Sequence, residues 1–188
     1  MQLKNTTNRY IAFLRGINVG GHHKVPMSDL LIELKKMGFK NIITLLNSGN
    51  IIFDTASNNQ VKLENELAIH LEKHFGFPIP TIVKKSEVIL ELFNNKPFKS
   101  VKLTKDIRFY VSFIKKNLEA NLKLPWVSLD KSYQIIAIKD KTICSVLDLS
   151  ISKTPKAMRV LEQFYGKNIT TRNWNTIEKI VKKLNIVT

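Results

Sequence analysis

Tyr10-Ile11-Ala12-Phe13-Leu14-Arg15-Gly16-Ile17-Asn18-Val19-Gly20-Gly21 opens with five apolar residues and passes directly into a glycine-rich segment. A short apolar run bounded by such a segment reads as a buried strand. Beyond it, Leu30, Leu31, Leu34 and Met37 recur at helical spacing, with Ser28 as the expected N-cap and Gly38 as the stop. Residues 42–46 and 51–53 read as two strands around Asn47-Ser48-Gly49-Asn50, which has the chemistry of a hairpin turn. Asn58 or Asn59 then caps a helix with the stripe Leu63, Leu67, Leu71, Phe75, and Gly76 ends it. Residues 79–83 are strand-like, and Ser86 caps a helix through Val88, Leu92 and Phe93. The order is β-α-β-β-α-β, then a helix, which is the ferredoxin-like motif.

The second half is expected to repeat this topology. Residues 94–106 are polar, Lys-rich and contain Pro97, so they read as a linker. Ile107, Phe109, Val111 and Phe113 alternate with Arg108, Tyr110 and Ser112 in a half-buried strand. A weak helix near 118–122, a hairpin of 133–138 and 142–147 around Asp140-Lys141, and a helix opened by Pro155 and stopped by Gly166 follow. A short strand at 169–171 precedes a last helix capped by Asn173. The expected fold is α+β: two ferredoxin-like (β-α-β-β-α-β) lobes in tandem, with antiparallel sheets and helices on one face. The first lobe is residues 1–96 and the second, more basic, is residues 97–188.

Composition bounds the function classes. Of 188 residues, 44% are hydrophobic, enough for a core. No stretch approaches the roughly 20 apolar residues of a membrane span, and residues 1–8 lack the apolar region of a signal peptide. The single cysteine, Cys144, lies in an apolar run and has no internal disulfide partner. Together these features are expected of a cytoplasmic protein. The net charge is +15. Residues 1–96 hold 12 basic and 8 acidic groups, whereas residues 97–188 hold 18 and 7. Such a half attracts polyanions, so nucleic acid is a possible though not a specific partner. Yet 25 of the 30 basic residues are Lys, and Arg is the usual choice for bidentate phosphate and base contacts. Oligomeric state is not encoded in these patterns.

Three segments carry a family resemblance: Leu14-Arg15-Gly16-Ile17-Asn18-Val19-Gly20-Gly21-His22-His23-Lys24-Val25-Pro26-Met27, Asn47-Ser48-Gly49-Asn50-Ile51-Ile52-Phe53, and Thr170-Thr171-Arg172-Asn173-Trp174-Asn175-Thr176. In this order they closely resemble the bacterial family known as domain of unknown function 1697, over residues 9–184. Most members carry one Lys or similar residue where this chain has His22-His23. The resemblance implies tandem ferredoxin-like units and names no activity, substrate or catalytic residue.

The Arg15 loop lies between a strand and a helix, where α/β units place ligand loops. Its glycines can turn backbone N–H groups inward as an anion-binding nest, with Arg15 and Lys24 supplying charge. Gly16 and Gly21 have the separation of a P-loop, but His22 stands where Lys is required and no Ser or Thr follows for magnesium. Gly-x-Gly-x-x-Gly is absent as well. The structural alternative is a long turn with glycines at positive φ and Asn18 bonded to nearby backbone, a purely structural loop that holds the two lobes together. Ser48 is in no Gly-x-Ser-x-Gly elbow. The turn around it is expected where strand one begins, opposite the Arg15 loop, so the two motifs are not expected to meet within the lobe. Arg172, Asn173 and Trp174 sit at a helix start, where Arg172 can face an anion or the trio can serve packing.

The candidate ligand-binding residues are therefore Arg15, Gly16, Asn18, Gly20, Gly21, Lys24, Asn47, Ser48, Asn50, Arg172, Asn173 and Trp174, with a small anion as ligand. Glu66, His70 and His74 share a helix face without a third ligand of metal-site spacing. Arg108 and Tyr110 share a strand face suited to RNA stacking, but the RNP-type pattern is missing. No paired carboxylates, triad or metal cage is present. No metal or cofactor is expected, and no catalytic residue is assigned.

Overall fold

A computed structural model describes residues 7–115, 122–166 and 168–186, without the side chains of 155–158. It is an α+β protein with a four-stranded and a five-stranded antiparallel sheet. The chain divides into two compact units, Met1–Leu90 together with Thr188, and Glu91–Val187. No described helix is long and apolar enough to cross a membrane.

In the first unit, β1 (Asn8–Leu14) leads through the glycine loop to α1 (Met27–Lys36), β2 (Lys40–Leu45), β3 (Asn50–Thr55), α2 (Gln60–Phe75) and β4 (Thr81–Lys85). The sheet order is β2-β3-β1-β4. Alternation along β1 sends Tyr10, Ala12 and Leu14 to one face. There they form one core with Leu30 and Leu34 of α1 and Leu63, Leu67 and Leu71 of α2, so both helices cover that face. Asn59 caps α2 by accepting from the Lys62 N–H, and Gly76 at φ 79 ends it. The expected Ser28 cap is corrected: Pro26 holds the cap position of α1, and the Ser28 hydroxyl, one residue inside the helix, donates to Asp29. Proline's fixed φ prepares the helix entry without a side-chain bond.

The chain passes from the first unit to the second within α3 (Ser86–Asn94). The second unit contains β5 (Ile107–Ile114), β6 (Trp126–Val127), β7 (Tyr133–Lys139), β8 (Thr142–Asp148), α4 (Thr154–Tyr165), β9 (Ile169–Asn173) and α5 (Trp174–Ile186), with sheet order β6-β7-β8-β5-β9. Asp140 and Lys141 both adopt positive φ between β7 and β8, as a two-residue hairpin requires. Tyr110 and Ile114 of β5 pack with Leu161 and Tyr165 of α4. The buried Ile177, Ile180, Val181 and Leu184 of α5 stand outside that cluster. The first residue of α5, Trp174, meets Phe98, which stacks on Phe109 of the alternate β5 face. The helices of this unit therefore do not all share one face.

One strand was not foreseen, one expectation changes and one lies outside the described residues. The two-residue strand β6 had no pattern long enough to announce it. Residues 94–106 are not a bare linker, because Phe98 is buried and stacks on Phe109 at 4.4 Å. The helix expected near 118–122 falls almost wholly outside the described residues.

Candidate functional site

The glycine loop and the β2–β3 turn meet. Asn18 Nδ2 donates to the Asn47 carbonyl oxygen at 2.9 Å, and the Leu14 N–H donates to the Gly49 carbonyl at 2.8 Å. This corrects the expectation that they lie at opposite edges. β1 is antiparallel to β3, with Phe13 opposite Asn50, so β3 begins where β1 ends. The turn that feeds β3 must then sit beside the loop that leaves β1.

Asn18 organises the loop. Its Nδ2 also donates to the Val25 carbonyl at 3.0 Å, its Oδ1 accepts from the Val25 N–H at 2.8 Å, and its own N–H donates to the His23 carbonyl at 3.1 Å. Both ends of the loop are thus tied to one side chain, which adopts φ 55, a conformation Asn tolerates better than most residues. Ile17 and Val25 are buried beneath it in the helix-side core. His23 stacks on Phe77 with ring centroids 4.5 Å apart and approaches the Gly16 carbonyl oxygen through Nδ1. Gly16, Gly20 and Gly21 have φ 75, 61 and 79 with open space where a Cβ would stand. Their requirement is backbone conformation, not close packing. Arg15 is half-buried, with its N–H donating to the Pro80 carbonyl, while Lys24 is exposed.

The turn itself comprises Leu46, Asn47, Ser48 and Gly49, and Asn50 is already the first residue of β3. Asn50 is fully buried, and its Nδ2 donates to the Leu45 carbonyl and to Ser48 Oγ. Gly49 has φ 72, and a Cβ there would stand 2.6 Å from Leu14 Cβ. Asn47 and Ser48 remain exposed. Arg15, Gly16, Asn18, Gly20, Gly21, Lys24, Asn47 and Ser48 therefore occupy one end of the first unit, with Asn50 buried beneath them.

Arg172, Asn173 and Trp174 belong to the second unit. Arg172 lies on β9, donating through Nη1 to Thr170 Oγ1 and the Thr171 carbonyl; burial pulls its guanidinium down to about 10, still charged at neutral pH. Asn173 Oδ1 accepts from the Asn175 N–H, the expected capping role at the start of α5. Trp174 stacks with Phe93 at 5.8 Å and meets Phe98 edge-on at 5.1 Å.

Other candidates resolve differently. Tyr110 is core: it packs in the α4-side cluster, and its hydroxyl shares a hydrogen bond with Thr154. That removes the stacking platform considered for RNA. Burial pushes the Cys144 thiol up to about 12, so it carries little thiolate at neutral pH. His70 and His74 both reach the buried Glu33, at 2.9 and 3.4 Å, where Lys36 also binds at 2.6 Å, while Glu66 pairs with Lys62. Among the described residues no group of three or more His, Cys, Asp or Glu is arranged to hold a metal. Sequence spacing could not reveal the Glu33 cluster, because both histidines lie on another helix.

Residues 7–143 match the family described as "Protein of unknown function (DUF1697)". The chain belongs to this family. The match takes in the first two motifs and ends before Thr170. The chain is also similar to a solved structure, the conserved bacterial protein SP0830 from Streptococcus pneumoniae, with 25% identity and a TM-score of 0.75 over 96% of this chain and 99% of that one. No curated protein matches.

Proposed function

We propose that the Arg15–Lys24 loop binds a small anion, such as a carboxylate or phosphate group. The observation that carries this reading is the Asn18 latch, which holds a loop with three glycines at positive φ between two cationic residues. A latched loop spends little conformational entropy when a ligand arrives. Gly20 and Gly21 are exposed and stand outside the loop's own backbone bonds, and glycine N–H groups in such a turn, with cations nearby, favour an anion. Asn18 in this reading positions the loop, since its amide is already engaged. Asn50 supports the turn from beneath.

A second reading has its own support. The Asn18–Asn47 bond makes the loop a brace for the β2–β3 turn, which is a structural role needing no ligand. Titrating 15N-labelled protein with inorganic phosphate separates the two. Anion binding is expected to shift the Gly16, Gly20 and Gly21 amides saturably, and Arg15→Ala with Lys24→Ala to abolish the shift. Unsaturable shifts, or shifts equal in the double variant, would leave only the brace.

The fold supports a finer proposal. The order β2-β3-β1-β4 of the first unit and the order β7-β8-β5-β9 within the second are the same pattern. We read both as ferredoxin-like, the second extended by the edge strand β6.

A further inference from the structure

The Trp174 motif is left unexplained by the loop reading, and it lines a separate cavity of about 310 Å³ within the second unit, with Phe93, Phe98, Lys96, Lys99 and Glu178. We propose that this basin binds a small aromatic monoanion, a single ring carrying one carboxylate.

The walls select the ring. Phe98 is buried, parallel to Phe109 at 4.4 Å and edge-on to Trp174 at 5.1 Å, which fixes it as a floor. Phe93 and Trp174 are half-buried and parallel within 12°, leaving aromatic surface at the cavity. Aromatic faces and edges in a concave setting reward a planar apolar body, and offset or edge-on ring pairs add beyond area alone. The size suits a small ligand, since drug-sized sites begin near 300 Å³.

The rim selects the charge. Lys96 and Lys99 are exposed, and neither ammonium enters an ion pair among the described residues. Their backbone is ordered: the Lys96 N–H donates to the Phe93 carbonyl and the Lys99 N–H to the Lys96 carbonyl, so both lysines spring from a tight turn beside the aromatic wall. Lys96 adopts φ 45, a left-handed conformation in which a side chain other than Gly or Asn is strained. Glu178 supplies one carboxylate at the same cavity. Two cations against one anion leave room for a single negative charge and disfavour a second. Inorganic phosphate alone would leave the aromatic wall unused.

The indole N–H signals of 15N-labelled protein provide the readout. The chain has two tryptophans, and Trp174→Phe identifies which signal is which. Sodium benzoate is titrated to about 10 mM, a range that captures millimolar binding, with benzyl alcohol as the uncharged match. The Trp174 signal is expected to move saturably with benzoate. Lys96→Ala with Lys99→Ala is expected to weaken benzoate about tenfold, equivalent to about 1.4 kcal/mol, and to leave benzyl alcohol binding unchanged. Glu178→Gln is expected to strengthen benzoate binding, and it serves as the second variant should the lysine pair compromise folding. The proposal fails if the Trp174 signal shows no saturable movement. It also fails if benzoate and benzyl alcohol bind equally, or if neither the lysine pair nor Glu178→Gln changes benzoate affinity.

Discussion

Asn18→Ala removes three side-chain hydrogen bonds and a backbone preference together. The bonds run to the Val25 carbonyl, the Asn47 carbonyl and from the Val25 N–H, at 3.0, 2.9 and 2.8 Å. A net hydrogen bond contributes about 0.5–1.5 kcal/mol, and the exposed position of Asn18 places each near the lower end, so the three sum to about 1.5 kcal/mol. Asn18 also sits at φ 55. A left-handed alanine costs about 1–2 kcal/mol, which Asn partly avoids. The expected loss in the first unit is therefore about 2–3 kcal/mol. Asn18→Gly loses the same bonds without the strain, so about 1.5 kcal/mol is expected. Both tryptophans, Trp126 and Trp174, lie in the second unit, so neither reports directly on this loop. Urea titrations read by amide exchange at Leu14, whose N–H donates to the Gly49 carbonyl, do. A loss below about 0.5 kcal/mol for Asn18→Ala would show that water replaces the latch. Equal losses for Ala and Gly would remove the strain component.

Two further substitutions and a pH titration probe the same unit. Gly49→Ala puts a Cβ 2.6 Å from Leu14 Cβ and 2.9 Å from Ile17 Cδ1 at φ 72, whereas Gly20→Ala at φ 61 meets open space. We expect more than about 3 kcal/mol for the first and about 1 kcal/mol for the second, read as urea midpoints; similar losses would contradict the close approach. The Arg9 guanidinium, through its hydrogen bonds, holds the Asp54 carboxyl below its ordinary 3.8, and Lys36, then His70, hold Glu33 below 4.5. A carboxylate with a depressed folded pKa stabilises above its unfolded value and loses that contribution as pH falls through the folded one. The first unit should therefore be insensitive to pH between about 7 and 5 with respect to these groups and weaken below about 4. Arg9→Ala should move the acid-unfolding midpoint upward in circular dichroism, and an unmoved midpoint would mean that the Arg9–Asp54 pair adds nothing.

Local signals in the sequence were largely legible. The Leu63-Leu67-Leu71 stripe, its Asn59 cap and its Gly76 stop specify α2 without help from the rest of the chain. Asp140-Lys141 specifies its hairpin in the same way. The failures share a physical origin in tertiary pairing. Tyr110 alternates with apolar residues as a solvent-facing position would, yet α4 covers that face as well. Phe98 stands in a Lys-rich run with no periodicity, so nothing local indicates its partners Phe109 and Trp174. Glu33 is an ordinary helix residue until α2 brings His70 and His74 against it.

The relation between the first two motifs shows how such a gap closes. Each motif alone reads as a turn, and which end of the sheet each occupies depends only on strand direction. Once Phe13 pairs with Asn50 in antiparallel register, the loop after β1 and the turn before β3 must share one end. Their polar residues then divide by depth. Asn50, fully buried, and Asn18, with its amide engaged at both ends, hold the two segments together. Lys24, Asn47 and Ser48 stay at the surface, with Arg15 half-buried beside them. A motif whose inner residues are committed to geometry holds the backbone of its outer residues in place, and an ordered backbone binds a ligand at lower entropic cost than a mobile one. The division between latch and surface is thus the physical link between the brace and the anion site we propose, and it is what lets Asn18 and Arg15 variants separate the two.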